Sequence, residues 1–199
     1  MTTTDVSPSD NGRGSEAWAA SWMLFRVDRR SPSYCRVTFD HPPINAITAT
    51  TVAELAELVG LIEEDADLNV VVFDSANPDF YLAHCVDPTG MPAWLDLLVR
   101  LSRAPVVSIA AIRGRVRGAG SEFVLACDLR FAARENTLLG QFDGPRAEQS
   151  GYVNRVIADD QLDDEVEAIA SRLARFDHDV IARAKSCVAR HVVDALPDA

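Results

Sequence analysis

The sequence of 199 residues has no apolar stretch long enough to cross a membrane. A membrane-spanning helix needs about 18 or more consecutive apolar residues, whereas the run "VVSIAAI" ends at once in a loop rich in Gly and Arg. The N-terminal segment "MTTTDVSPSDNGRGSE" also lacks the apolar run and the cleavage site of a signal peptide. We therefore expect a soluble, cytoplasmic protein whose residues 1–20 form a disordered tail.

Cysteine is scarce, with four residues and neither a Cys-x-x-Cys pair nor a His/Cys cluster at metal spacing. This pattern excludes a disulfide framework and a zinc site, and it predicts reduced thiols and no bound metal. Basic residues are outnumbered, since 19 Lys and Arg against 30 Asp and Glu give a net charge of -11. Such an acidic chain is not suited to nucleic acid, because phosphates bind basic surfaces. A few local Arg residues could still bind a small anionic ligand.

Hydrophobic residues make up 48% of the sequence, which is enough to bury the core of one globular domain. Short apolar runs alternate with segments of helical periodicity, a pattern typical of an α/β fold with a parallel sheet. Strands are predicted at "WMLFRVD" and "YCRVTFD", which form a hairpin, and at "VVVFD", "VVSIAAI", "LRFAA", "TLLGQF" and "YVNRVI". Helices are predicted at residues 50–64, 93–103, 121–126, 162–176 and 178–193. We place the core at residues 21–158 and a C-terminal helical region at residues 159–199.

The most informative stretch is "IAAIRGRVRGAGSEFVLACDLRFAA", where a buried strand enters a loop that carries Gly114, Gly118 and Gly120. Glycine allows a ligand to approach the backbone there, and free N–H groups at a following helix favour a developing negative charge. A dinucleotide fingerprint, a nucleophile elbow and a P-loop are all excluded, because each motif requires residues that are missing here. Ser121 is therefore interpreted as a helix cap rather than a nucleophile.

Two kinds of charged residue accompany this loop. Glu122 precedes the apolar sequence "FVLA" and is a candidate general acid or base; the alternative is a charge that only interacts with the helix dipole. Arg113, Arg115 and Arg117 alternate through the loop and could bind phosphate groups by charge-assisted hydrogen bonds. The alternative for these arginines is a solvated loop.

Three segments, taken in order, resemble one known family. "HPPINAI" resembles its Pro-Pro-x-Asn-Ala loop, and the Gly-rich stretch resembles its Ala-Ala-x-x-Gly-x-x-x-Gly-Gly-Gly-x-Glu segment. "GYVNRVI" is similar to the family's later Gly-Leu-Val-Asn-x-Val segment. On these motifs the sequence resembles the crotonase superfamily, of enoyl-CoA hydratase/isomerase type, over about residues 22–190.

The resemblance implies a fold, a substrate and a set of site residues. The fold is a crotonase-like spiral of ββα units with C-terminal helices, the substrate is a coenzyme A thioester with no further cofactor, and the assembly is a trimer or hexamer. The backbone N–H groups of Ala119 and Cys85 are expected to bind the thioester oxygen as it becomes an enolate. Glu122 and Asp143 take the positions of the two hydratase carboxylates. The substrate is expected to contact Leu82, Ala83, His84, Gly118 and Arg117.

The sequence departs from the family pattern at three places. His84 stands where Gly is usual, Asp143 replaces a longer Glu, and "DGPRAEQSGYV" joins Phe142 to the later strand through fewer residues than in the family. Because Asp-Gly-Pro is ordinary turn chemistry, Asp143 has the alternative role of starting a tight turn. Two other functions stay open: a shortened member that binds acyl-CoA or partner subunits without catalysis, and a hydrolase or lyase that uses the same oxyanion hole.

Overall fold

The computed structural model describes Trp18, residues 22–83 and residues 90–194, with side chains as far as residue 188. The strands are β1 (Phe25–Ser31), β2 (Tyr34–Phe39), β3 (Val70–Ser75), β4 (Phe80–Leu82), β5 (Val107–Ile112), β6 (Arg115–Val116), β7 (Leu129–Ala133), β8 (Leu138–Leu139), β9 (Phe142–Asp143) and β10 (Arg155–Ile157). The helices are α1 (Ala49–Glu64), α2 (Met91–Arg103), α3 (Ala119–Ala126), α4 (Gly144–Gln149), α5 (Leu162–Leu173) and α6 (His178–Asp194). Apart from Trp18, the expected N-terminal tail lies outside the described residues.

The strands form two sheets, and the chain alternates between them. The larger sheet has the order β1-β2-β3-β5-β7-β10, and the smaller sheet has the order β4-β6-β8-β9. Units such as β3-β4-α2 and β5-β6-α3 each give one strand to each sheet and then one helix, so the chain advances as a spiral. The pairs β1-β2 and β8-β9 are antiparallel, and the other pairs are parallel. The predicted α/β spiral of ββα units is therefore confirmed.

The larger sheet is covered on both faces, which explains the continuous apolar run of β3. One face carries a cluster of aromatic rings, in which Phe39, Phe73 and Phe123 pack edge to face or stacked at centroid distances of 5.1 to 6.2 Å. The opposite face, which includes Val70 and Val72, is buried against α5. Aromatic pairs of this kind add stability beyond their buried area, so this cluster is a rigid base for the helices that pack on it.

The loop with the sequence "HPPINAI" is fixed by Asn45, whose backbone φ is 51° and whose side chain is buried. The Asn45 Nδ2 donates to Ser75 Oγ at 2.8 Å, to the Phe80 carbonyl at 3.1 Å and to the Tyr81 carbonyl at 3.0 Å. Its Oδ1 accepts from the backbone N–H of His41 at 2.8 Å. These bonds attach the loop to the first two residues of β4.

Two local predictions are wrong. "TLLGQF" is not one strand, because Gly140 has a φ of 60° and reverses the chain between β8 and the antiparallel β9. Ser121 does not cap α3, because the helix begins two residues earlier, after Gly118 at φ 55° and ψ -128°. The Ser121 hydroxyl donates instead to the Val116 carbonyl at 3.2 Å. The expected helices after residue 159 are present as α5 and α6.

The C-terminal helix α6 is attached to the core through Lys185, the only lysine in the sequence. Its Nζ donates to the carbonyls of Leu101 at 3.3 Å and Val106 at 2.8 Å, and to Asp128 Oδ2 at 2.8 Å. Asp128 Oδ2 also accepts from the backbone N–H and the hydroxyl of Ser108, each at 2.8 Å. The Lys185 side chain is 9% exposed and that of Asp128 is 28% exposed, so this is a partly buried ion pair in which the amine has three acceptors. Across the ranges given above, no helix is both long and apolar enough to span a bilayer.

Candidate functional site

The start of α3 presents an unused backbone donor. The first helical residue, Ala119, has no acceptor for its N–H among the described residues. The next two amides are used locally, since Gly120 N–H donates to the Arg117 carbonyl at 3.0 Å and Ser121 N–H donates to the Gly118 carbonyl at 2.9 Å. Ala119 is 8% exposed, so a ligand oxygen that reached it would leave bulk water. A free N–H at the positive end of a helix dipole is suited to an oxygen that gains negative charge.

Glycine at position 120 allows α3 to start directly against the end of β4. A Cβ added to Gly120 would lie 2.5 Å from the Leu82 carbonyl oxygen, which is shorter than any normal contact. The Arg117 N–H donates to the same carbonyl at 3.2 Å. Leu82 and Ala83 are both buried, so at this point they contribute apolar packing and backbone groups rather than polar side chains.

Gly120→Ala is expected to lower the free energy of unfolding by about 1–3 kcal/mol, because the added methyl group must displace backbone atoms of β4. Urea unfolding followed by circular dichroism measures the change. Gly60→Ala is the matched control: position 60 lies within α1, and its added Cβ would meet only Arg100 Nη2 at 3.4 Å. Because Ala is the better helix former, Gly60→Ala should be neutral or stabilising by up to about 1 kcal/mol. Equal stability of the two variants would contradict the close approach.

Glu122 lies one turn into α3, on its solvent-exposed side. Its Oε2 accepts a hydrogen bond from the indole Nε1 of Trp94 at 2.8 Å. Glu122 therefore has a hydrogen-bond partner and is exposed, although it precedes the apolar sequence "FVLA". The buried residues of α3 are Ala119, Gly120, Phe123 and Val124, whereas Glu122 is exposed.

Two other titratable groups near α3 are unsuited to proton transfer at neutral pH. Complete burial raises the pKa of Cys127 to about 12, and the thiol donates to the Phe123 carbonyl at 3.5 Å. Burial also raises the pKa of Tyr81 well above its ordinary value, and its hydroxyl donates to the Phe73 carbonyl at 2.9 Å. Both groups stay protonated, so Glu122 is the stronger candidate for a general base beside Ala119.

Asp143 has a structural role of its own. It is the N-cap of α4, and its Oδ1 accepts from the backbone N–H of Arg146 at 2.9 Å. This agrees with the alternative that Asp143 begins a turn, although the turn continues as a short helix. Asp143 is exposed and lies on β9, which is the edge strand of the smaller sheet at the end opposite β4. The strand that leads into α3 is β6, and β8 lies between β6 and β9.

A comparison of Asp143→Asn with Asp143→Ala distinguishes the stability contributed by the N-cap hydrogen bond from that contributed by the negative charge. Asn and Asp are similarly good N-caps, whereas Ala is a poor one. We expect Asn to leave thermal stability nearly unchanged and Ala to lower the free energy of unfolding by about 0.5–2 kcal/mol. Differential scanning calorimetry gives both values. A loss as large for Asn as for Ala would show that the negative charge, rather than cap geometry, stabilises α4.

The three arginines of the loop have different environments. Arg113 Nε donates to Asp159 Oδ1 at 2.7 Å and its Nη2 lies 3.1 Å from Asp163 Oδ2. Although partial burial lowers the pKa of Arg113, hydrogen bonds to Asp163 and Asp159 raise it overall, so the residue is a fixed structural cation. The Arg115 guanidinium lies 5.3 Å from the centroid of the Phe80 ring. Arg117 is exposed and follows β6 directly, which leaves it able to contact an anionic ligand.

The structure brings together some of the predicted site residues and does not describe others. Gly118, Ala119 and Glu122 share the start of α3, and the end of β4 supplies Leu82 and Ala83 beside them. His84 and Cys85 lie outside the described residues. In the described part of the chain, no group of three or more His, Cys, Asp or Glu side chains is arranged to bind a metal ion.

Sequence reasoning missed Trp94 as a partner of Glu122. Trp94 lies on the apolar side of an amphipathic helix, where a tryptophan is ordinarily a core residue. The acceptor of its indole N–H, Glu122, lies 28 positions later in the chain, and no short motif connects the two residues. A buried indole N–H nearly always needs an acceptor, and this is the one signal that could have prompted a search for a partner.

Comparison with known proteins gives one family. A family profile described as enoyl-CoA hydratase/isomerase matches residues 29–142, more than half of the chain. A candidate enoyl-CoA hydratase from Streptomyces avermitilis has a TM-score of 0.79 and 32% identity, covering 90% of this chain and 81% of that chain. Enoyl-CoA hydratases from Mycobacterium smegmatis and Bacillus anthracis share the fold, with TM-scores of 0.78 and 0.76 at 22% and 19% identity. They cover 86% and 85% of this chain, and 84% of each of their own.

Proposed function

Because the chain belongs to the enoyl-CoA hydratase/isomerase family, we propose that it binds an enoyl-CoA thioester at the start of α3 and moves protons within it. One observation carries the proposal: the N–H of Ala119 is free within the described structure, and the Glu122 carboxylate follows three residues later. The candidate oxyanion donor and the candidate base therefore both belong to the first turn of α3. Coenzyme A enters as part of the substrate, and no further cofactor is proposed.

The Ala119 N–H donates to the thioester carbonyl oxygen in this proposal, together with the N–H of Cys85. In isomerisation, Glu122 removes a proton from C2, the carbon next to the carbonyl, and the electron pair moves onto that oxygen as an enolate. In hydration, the same enolate forms when the oxygen of water adds to C3. The two N–H groups and the positive end of the α3 dipole stabilise the new charge. A preorganised donor of this kind can lower the activation free energy by about 3–4 kcal/mol. Arg117 is proposed to contact a phosphate of coenzyme A.

Two reactions of this family differ in how many carboxylates they use. Hydration adds a water oxygen to C3 and a proton to C2, and it is best served by two carboxylates that flank the water. Isomerisation needs one carboxylate, which takes a proton from C2 of a 3-enoyl thioester and returns it to C4. Asp143 is the proposed second carboxylate for hydration. Hydration is the first candidate function. The use of Asp143 as the cap of α4 is the observation that supports isomerisation as the second candidate.

The two reactions change the ultraviolet absorbance of the conjugated thioester in opposite directions. Purified protein is mixed with 2-enoyl-CoA in one assay, where hydration causes a loss of absorbance, and with 3-enoyl-CoA in another, where isomerisation causes a gain. If Asp143 serves hydration, Asp143→Asn loses the first activity and keeps the second. A third assay with a thiol reagent detects the free coenzyme A that a hydrolase would release.

A binding protein without catalysis gives a different outcome. Such a protein shows coenzyme A thioester binding by calorimetry and no change in any of the three assays. If the protein showed neither binding nor turnover of coenzyme A thioesters, the acyl-CoA proposal would be refuted altogether. We also propose a homo-oligomer, a trimer or hexamer by family resemblance, which light scattering after size-exclusion chromatography tests independently of activity.

A further inference from the structure

We propose that Trp94 is a positioning residue for Glu122, whose indole N–H holds one carboxylate oxygen so that the other takes up and returns the proton. The inference deepens the proposed function and rests on it. It starts from the 2.8 Å bond between Trp94 Nε1 and Glu122 Oε2. Within the described residues, Glu122 Oε1 has no hydrogen-bond donor, so this oxygen is available to a substrate.

The donor is held rigidly by the aromatic core. The Trp94 side chain is completely buried, and its ring lies 6.4 Å from that of Phe123 at an interplanar angle of 29°. Phe123 in turn packs edge to face on Phe73 and Phe39, at 5.1 and 5.6 Å. A donor fixed in this way can restrict an exposed Glu side chain, which otherwise samples several rotamers. Reorientation of a reacting group by about 1 Å can change a rate by about a hundredfold.

An indole is chemically suited to this task. It donates one hydrogen bond, accepts none and is not ionised near neutral pH, so it cannot compete with Glu122 as an acid or base. A hydrogen bond to the charged form of a carboxylate also favours that form.

Trp94→Phe removes the N–H and keeps an aromatic ring in the core. We expect kcat with the active enoyl-CoA to fall by roughly tenfold to a hundredfold, with little change in KM. A purely structural indole would lower thermal stability and leave kcat of the folded protein unchanged.

Trp22→Phe is the matched control. The Trp22 ring stacks on Phe25 at 5.0 Å, and its buried Nε1 has no hydrogen-bond partner in the described structure. The same chemical change at Trp22 should leave kcat and KM as in the wild type. If Trp94→Phe behaves like Trp22→Phe in both quantities, the inference is wrong even though the proposed function stands.

A measurement on the unmodified chain covers the remaining outcomes. The sequence has three tryptophans, so a ¹⁵N-labelled sample gives three indole N–H signals. We expect the signal that is missing in Trp94→Phe to move as the pH is lowered through the carboxylate range, and to lose this movement in Glu122→Gln. A signal that does not titrate overturns the pairing, whether or not Trp94→Phe folds. If the protein showed no enoyl-CoA turnover but the Trp94 indole signal still moved with pH, the proposed function would be refuted and the Trp94–Glu122 bond confirmed.

Discussion

Glu122→Gln is expected to lower kcat roughly 100- to 10,000-fold with whichever enoyl-CoA isomer the wild-type protein converts. Gln has nearly the same size as Glu, and its side-chain oxygen can still accept the bond from Trp94 Nε1 that the carboxylate accepts at 2.8 Å. The substitution therefore removes the base and preserves the packing of α3. Initial rates across a range of substrate concentration give kcat and KM separately. Substrate binding measured by calorimetry should change little, because the Ala119 N–H and the end of β4 are untouched.

Glu57→Gln is a suitable control for Glu122→Gln, because Glu57 is also an exposed glutamate on a helix. Glu57→Gln changes the net charge by the same amount as Glu122→Gln, but at a position far from α3 in the sequence. We expect its kcat to equal that of the wild type. If Glu122→Gln retained full turnover, the general-base assignment would be wrong, and the Gly-rich loop would serve only to bind the thioester.

Lys185→Met is expected to lower the free energy of unfolding by about 3–5 kcal/mol, the largest stability effect that we predict. The Lys185 amine bonds to Asp128 and to the carbonyls of Leu101 and Val106, and its side chain is only 9% exposed. Met retains most of the volume but leaves the Asp128 charge without its cationic partner in a partly buried position. Two carbonyl acceptors also lose their donor. Chemical unfolding monitored by circular dichroism measures the difference.

Arg183→Met provides the comparison for Lys185→Met on the same helix. Arg183 pairs with Asp179 at 3.6 Å, but the two side chains are 80% and 74% exposed. Exposed pairs contribute about 0–1 kcal/mol, so the Arg183 variant should be nearly as stable as the wild type. The double variant Lys185→Met with Asp128→Asn should recover part of the lost stability, because it removes the unpaired charge. Equal effects at positions 183 and 185 would mean that the buried pair does not stabilise the attachment of α6.

Most of the fold could be predicted from the sequence, because burial imposes regular patterns. The run "VVVFD" reads as a strand buried on both faces, and β3 is indeed covered on both sides. The amphipathic pattern after Thr50 predicts a helix that differs from α1 by one residue at its start. "TLLGQF" failed because the left-handed turn at Gly140 divides an apolar run, and the periodicity of side chains does not report backbone reversals.

The site was less predictable, because its geometry depends on contacts between distant positions. The Gly-rich loop predicted a close backbone approach, and glycine at position 120 does allow the backbone of β4 to approach the start of α3. The exposure of Glu122 could not be read from "SEFVLA", because one helical turn does not reveal which side faces the core. Asp143 illustrates the opposite case. Its local chemistry indicated a turn, and the structure shows the side chain in a local hydrogen bond to Arg146.

The single buried lysine has a consequence for labelling chemistry. Acyl-CoA thioesters, the proposed substrates, slowly acylate exposed amines, and Lys185 is the only side-chain amine in the sequence. With its Nζ enclosed by three acceptors, that amine becomes available when α6 separates from Leu101, Val106 and Asp128. An amine-reactive reagent therefore modifies the side chains of this protein at one position and only in its opened form. Intact-mass spectrometry over time would then read the opening rate of the C-terminal helix directly, without any engineered probe.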